Sequence, residues 1–235
     1  MKEKLVHYFT RAEKALWLSS VALITVSFWL FDRQSVLTLI ASLVGVTSLI
    51  FCAKGNPVGQ ALMIAFSVLY GIISYSFDYY GEMITYLGMT LPMAAASLVS
   101  WLRHPFEGNK SQVRVRRLTR RDGYIAVLLS AAVTALFYFI LRALGTANLV
   151  PSTVSVTTSF LAAYLTALRS PYYAAAYAAN DLVLIVLWAL ASFDERRYLA
   201  VVLCFCAFFV NDLYGFVSWK RMEKAQHSAA DTVKP

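Results

Sequence analysis

Eight apolar runs, each long enough to cross a bilayer as a helix, leave this chain few ways to fold. They cover Ala15–Phe31, Val36–Ala53, Pro57–Phe77, Gly81–Leu102, Gly123–Leu144, Ser152–Leu168, Tyr172–Phe193 and Tyr198–Ser218. A spanning helix needs roughly 17–25 residues. Backbone in hydrocarbon must satisfy its own N–H and C=O groups, so each run reads as helix. Pro57, Pro151 and Pro171 fall at helix starts, where a missing N–H costs little. With 59% hydrophobic and 14% charged residues in 235, a water-soluble core could not hide this much apolar surface. The chain reads as an all-α integral membrane protein of about eight transmembrane helices. Its basic start resembles a signal peptide, but the first run ends in FWLFDRQS with no small-x-small cleavage site. The first run therefore reads as a retained helix, either spanning or lying at the interface.

The formal net charge of +8 would fit nucleic acid, but the placement of the charges fits a membrane better. With the N-terminus in the cytoplasm and eight alternating spans, the inner side holds Lys2, Lys4, Arg11, Lys14, Lys54, Arg169, Lys220, Arg221, Lys224, Lys234 and the basic residues from Arg103 to Arg121. Only Arg33, Arg142, Arg196 and Arg197 fall outside, which leaves 17 of the 21 Lys and Arg within. The acidic Asp32, Asp78, Glu82, Asp194 and Glu195 fall outside as well. Both termini are expected in the cytoplasm. The Arg103–Arg121 loop then faces anionic headgroups, and without an aromatic platform it is not expected to bind nucleic acid.

An internal echo accompanies this topology. LVSWLR closes the fourth span and FVSWKR the eighth, and each ending follows a helix pair that begins at a proline, Pro57 or Pro171. The pattern divides the chain into an N-terminal tail and first helix (1–35), a first three-helix bundle (36–102), a basic loop (103–121), a linker helix (122–150), a second three-helix bundle (151–219) and a tail (220–235). Both endings face the same side, so the two bundles are expected to be parallel repeats joined 3+1+3.

Signatures of soluble enzymes are missing: no GxGxxG, GxxxxGK[ST], HExxH or GxSxG occurs. Cys52, Cys204 and Cys206 lie in apolar runs, and His7, His104 and His227 lie far apart, so neither a metal nor a cofactor is expected. A membrane-embedded transferase or phosphatase would need clustered carboxylates, which two separated aspartates do not supply.

The informative residues are polar ones inside the spans, where an ionisable group is expensive. Asp181 follows Asn180 in the seventh span, and Asp212 follows Asn211 in the eighth. At 1.5 Å per residue they lie about 13 Å and 9 Å from the inner helix ends, so they share one layer if the two helices are neighbours. These residues either line a polar site or hydrogen-bond helix to helix. Tyr173, Tyr177, Asn180, Leu184 and Trp188 form one stripe at helical spacing, suited to a flat heteroaromatic ring or to packing. Gln60, Ser67, Tyr70, Gly71 and Ser74 form another, and Tyr86, Thr90, Met93 and Ser97 a third. The hydroxyls of VPSTVSVTTSF are expected to bond back to their own helix.

Several of these segments resemble the PnuC family of vitamin transporters: YYGEMITYLGMTLPMAAASLVSWLRHPFEGNK, TSFLAAYLTALRSPYYAAAYAANDLVLIVLWALAS and AFFVNDLYGFVSWKRM. The resemblance covers roughly Ala53 to Lys224. It implies a SWEET-like fold and a homotrimer in a bacterial cytoplasmic membrane. It also implies facilitated diffusion of nicotinamide riboside or a related vitamin such as thiamine, trapped by a cytoplasmic kinase. The family's aromatic, Asn and Gln binding residues carry over to Asn180, Trp188, Asn211 and Tyr214, and to Tyr173 and Gln60. Asp181 and Asp212 would complement a cationic ring. One departure stands out. Members that carry nicotinamide riboside usually have Trp-x-x-Trp at the start of the seventh span, where this chain has Tyr173 and Ala176.

Overall fold

Local signals set the helix starts in the computed structural model of the chain, which describes residues 8–33, 35–76, 80–146 and 148–232. Lys2, Lys4, His7, Asp78 and Lys234, placed by sequence above, lie outside the described residues. Helix α1 spans Arg11–Phe31, and its cap is a reciprocal box: Glu13 N–H donates to Thr10 Oγ1, and Thr10 N–H donates to Glu13 Oε2 at 2.7 Å. Helix α5, Arg120–Ala143, starts on the same chemistry with Thr119 and Asp122. The remaining spans are α2 (Val36–Ala53), α3 (Pro57–Ser76), α4 (Tyr80–Arg103), α6 (Leu149–Ala167), α7 (Tyr172–Ser192) and α8 (Leu199–Thr232). All eight are long and apolar enough to cross a membrane. In α4, residues Thr85–Thr90 widen into a π-helical turn, a local feature often found at functional sites.

Six of these helices close into a ring. Within the first bundle α3 packs between α2 and α4, and within the second α7 packs between α6 and α8. The bundles meet at two seams, α8 against α2 and α4 against α6. Each seam joins the first helix of one bundle to the third of the other, the relation that parallel repeats about an axis along the membrane normal require. Outside the ring, α1 lies on α2 and α8, and α5 lies on α6. Both outer helices thus cover the first helix of a bundle and both open on a Thr-led capping box. The least buried spans are these two, each with 22% of its apolar window buried. Most of their residues are not buried by the rest of the chain.

Small residues allow the close approaches that helix association in lipid depends on. A Cβ on Gly59 would lie 2.6 Å from the Cys52 backbone nitrogen, so α2 and α3 meet backbone to backbone. Gly71 abuts Leu87 of the π-helical turn, with its added Cβ 2.6 Å from Leu87 Cγ. Gly215 of α8 is not tight: the nearest neighbour of an added Cβ would be Ala174 Cβ at 3.5 Å.

The basic segment between the bundles is structured. Strands β1 (Pro105–Phe106) and β2 (Asn109–Val113) form a hairpin whose Glu107 and Gly108 both take positive φ, as a tight two-residue turn demands. Val113 N–H donates to Gly55 O in the α2–α3 turn, and Arg116 N–H donates to Arg169 O after α6. Gln226 of α8 bonds both Val113 O and Val115 N–H. The loop thus runs under the end of the ring where Lys54, Arg103, Arg169 and Lys220 collect, here termed the basic end. The opposite end, with Asp32, Glu82, Asp194 and Glu195, is the acidic end.

Candidate functional site

Inside the ring a column of polar groups runs from one end toward the other. At the acidic end a cavity of about 240 Å³ opens between the bundles, lined among others by Tyr80, Glu82, Ser152, Trp188 and Asp194. Trp188 forms part of its floor and packs on Tyr198, with ring centroids 5.3 Å apart. Of the binding residues proposed from sequence, Trp188 alone lines this cavity.

Below it, α6 and α7 hold Asn180. Its Oδ1 accepts from Thr158 Oγ1 at 2.8 Å and from Ser155 Oγ at 3.2 Å. The hydroxyl-rich stretch of α6 therefore does two things. Thr153 and Thr157 bond back to their own helix carbonyls as expected, while the single hydroxyl proton of Thr158 is shared between Val154 O and the amide. One residue on, Asp181 of α7 and Asp212 of α8 come within interaction range of each other across the contact between those helices. Both are buried. The shared polar layer expected from helix rise is present because α7 and α8 are neighbours. The phenols of Tyr86 and Tyr177 lie in electrostatic range of Asp181. Tyr86 also packs against Tyr70, with centroids 4.4 Å apart, and against Phe66.

Toward the basic end the column meets Gln60, whose Nε2 donates to Cys52 Sγ at 3.2 Å. It closes on an aromatic stack: Tyr173 is 4.9 Å from Trp219, and Trp219 is 5.3 Å from Trp101.

Two residues do not join this column as the sequence reading had it. Asn211 Nδ2 donates to Ser20 Oγ of α1 and to Ala207 O, both at 2.8 Å. Tyr214 donates to Glu13 Oε1 of α1 at 3.1 Å. Residues 211, 214 and 218 form one helical stripe of α8, about a quarter of a turn away from 208, 212 and 215. Nor do Trp188 and Tyr214 converge on one ring. The helices run antiparallel, so Trp188 is about 24 Å from the basic-end start of α7, and Tyr214 is about 22 Å from the acidic-end start of α8. Glu13 is the hub they missed: it is buried, caps α1, and is paired to Lys54 at 3.2 Å. The signal for it, Thr-x-x-Glu ahead of an apolar run, stands in the sequence at Thr10–Glu13.

Among the described residues, the buried side-chain oxygens that find no donor include Asp181 Oδ2 and Asn211 Oδ1, with the hydroxyls of Ser97, Ser130 and Thr146. A buried unsatisfied acceptor costs free energy, and a ligand bearing N–H, O–H or positive charge would offset that cost. A ring of parallel repeats around such a column, open at one end and shut at the other, is the geometry of an alternating-access carrier.

The nicotinamide mononucleotide transporter family matches residues 35–221. The chain belongs to this family. Membership makes it a multi-pass membrane transporter rather than an enzyme. This transporter is 28% identical over 219 residues to the nicotinamide riboside transporter PnuC of Neisseria mucosa, covering 92% of this chain and 83% of the relative. It is 20% identical over 212 residues to the nicotinamide riboside transporter PnuC of Haemophilus influenzae, covering 90% and 91%. A crystal structure of the vitamin B3 transporter PnuC superposes with a TM-score of 0.82 at 26% identity, covering 96% of this chain and 97% of that one.

Proposed function

We propose that this transporter carries nicotinamide riboside across the membrane by facilitated diffusion, with the vitamin bound in the column between the bundles. The observation that carries this reading is the pair of carboxyl groups, Asp181 and Asp212, set beside aromatic rings and a fixed amide on the axis of the ring. A pyridinium ring supplies the positive charge that such carboxylates lack, and its flat faces suit Tyr86, Tyr177 and Trp188. Asn180, held by two hydroxyls, presents its remaining amide group in a fixed direction. Trp188 sits where the substrate enters, and Gln60 and Tyr173 sit where it leaves. Asn211 offers one orphan oxygen, and Tyr214 acts on the site through α1. Family membership and the similarity to nicotinamide riboside transporters support the same substrate.

The reading extends to topology and fate. The basic end faces the cytoplasm with both termini, following the distribution of Lys and Arg. A cytoplasmic kinase phosphorylates the arriving vitamin and so keeps the gradient inward. The transporter works as a homotrimer in a bacterial cytoplasmic membrane. Thiamine stands as a second substrate, because Tyr173 and Ala176 replace the two tryptophans that the family resemblance associates with nicotinamide riboside. Thiamine is also a cation and meets the same carboxylates. Tryptophan-fluorescence titration of the purified protein with nicotinamide riboside, thiamine and riboflavin separates these readings. Saturable quenching by nicotinamide riboside at the lowest concentration supports the proposal; saturation by riboflavin alone overturns it, because riboflavin is neutral.

A further inference from the structure

The echoed Ser-Trp pairs occupy equivalent positions at the basic end, and each reaches across a seam. Ser100 Oγ and Trp101 Nε1, at the end of α4, donate to Ala167 O at 2.8 Å and Thr166 O at 2.9 Å, at the end of α6. Ser218 Oγ and Trp219 Nε1, in α8, donate to Ala53 O and Cys52 O at the end of α2, both at 2.8 Å. The two sets are the same bonds related by the repeat: third helix of one bundle to the last turn of the first helix of the other. Their chemistry is mutual. The last carbonyls of a helix lack partners within it, and a buried indole N–H must find an acceptor. Trp101 is 1% exposed and Trp219 fully buried, and their rings meet each other and Tyr173 on the axis.

We infer that these two Ser-Trp pairs are the latches of the basic-end gate, and that both must release for the column to open toward that side. The inference rests on the transport reading. The column cannot discharge a solute past Trp101 and Trp219 while the rings touch, and the rings cannot part without drawing α4 from α6 or α8 from α2. Each such movement breaks one set of bonds. Having two latches rather than one divides the barrier between the seams. At the opposite, acidic end the cavity opens between the bundles. The segment from Val113 to Arg116 spans the same two first-helix ends, Gly55 after α2 and Arg169 after α6. It would have to yield with the latches.

Cys52 is a built-in reporter, because it is buried against Trp219 and bonded by Gln60. In purified protein with Cys204 and Cys206 changed to Ser, the reaction rate of Cys52 with a fluorogenic maleimide reads opening of the basic end. Trp101→Phe and Trp219→Phe keep an aromatic ring, though a smaller one, and remove the N–H. Each is expected to speed the reaction about fivefold to tenfold, the factor of one buried hydrogen bond, and the double variant more than either. Cys204, read in a background with Cys52 and Cys206 changed to Ser, is expected to react at the parent rate. A Cys52 rate within twofold of the parent in the double variant overturns the inference. So does a parallel rise at Cys204, which marks general loosening. Should the tryptophan variants fail to fold, Ser100→Ala with Ser218→Ala is read by the same two thiols and the same criteria. Nicotinamide riboside is absent from this assay, so failure of the substrate reading leaves its outcome distinct.

Discussion

Replacing Asp181 by Asn separates what the ligand needs from what the fold needs. The side chain keeps its shape and loses its charge. In the structure Asp181 is 3% exposed, faces Asp212, and has one oxygen without a partner. A hydrogen bond to a charged group contributes about 1.5–3 kcal/mol. Losing it toward a cationic vitamin is worth roughly tenfold to 150-fold in Kd, at about 1.4 kcal/mol per factor of ten. The fold responds otherwise. An amide in place of the Asp181 carboxyl still donates to Asp212, so the contact between the two side chains is kept and Tm is expected to stay within about 2 °C of the parent. Fluorescence titration gives the first number and melting in detergent the second. A Kd within twofold of the parent refutes the charge argument. A weakened Kd together with a lowered Tm refutes the claim that Asp181 acts on the ligand rather than on the fold.

Three further expectations follow from the geometry. Gly59→Ala forces α2 and α3 apart, since its Cβ meets the Cys52 backbone nitrogen; a loss of about 1–3 kcal/mol is expected, read as a lowered Tm. Trp188→Ala removes the aromatic floor of the acidic-end cavity, weakening vitamin binding by about 1–3 kcal/mol, the range of ring stacking, and shrinking the fluorescence change. Asp32, just beyond α1, has its carboxyl pushed above the usual range by burial, against the pull of Arg197. A folded-state pKa above the unfolded one means stability that is present in acid and lost as pH rises through the folded value; Asp32→Asn is expected to flatten that slope in melting curves taken from pH 4 to 8.

Much of the fold was legible because the bilayer reduces the problem to lengths and charges. Val36–Ala53 appears in the structure with the ends read from sequence, bounded by Ser35 and the Lys54–Gly55 turn. The eighth apolar run, Tyr198–Ser218, is continued past Ser218 by a polar stretch of α8 to Thr232, where hydropathy no longer reports helicity. Neighbour relations are another matter. That α7 and α8 touch, bringing Asp181 to Asp212, depends on ring order, which no periodicity encodes. The same gap misplaced Asn211 and Tyr214: a polar residue on a buried helix has a definite azimuth, and only packing shows that theirs points to Ser20 and Glu13 of α1. The Ser-Trp echo was visible as a repeat, but its bonds join residues 65 to 167 positions apart.

The central claim is that this ring of helices moves a cationic vitamin through its axis without an imposed ion gradient. Uptake of radiolabelled nicotinamide riboside into liposomes containing the purified protein, with identical salt and pH on both sides, tests it directly. The account predicts saturable uptake that unlabelled nicotinamide riboside competes away and that Asp181→Asn weakens. Uptake no faster than in protein-free liposomes, with the protein folded and inserted, would contradict it.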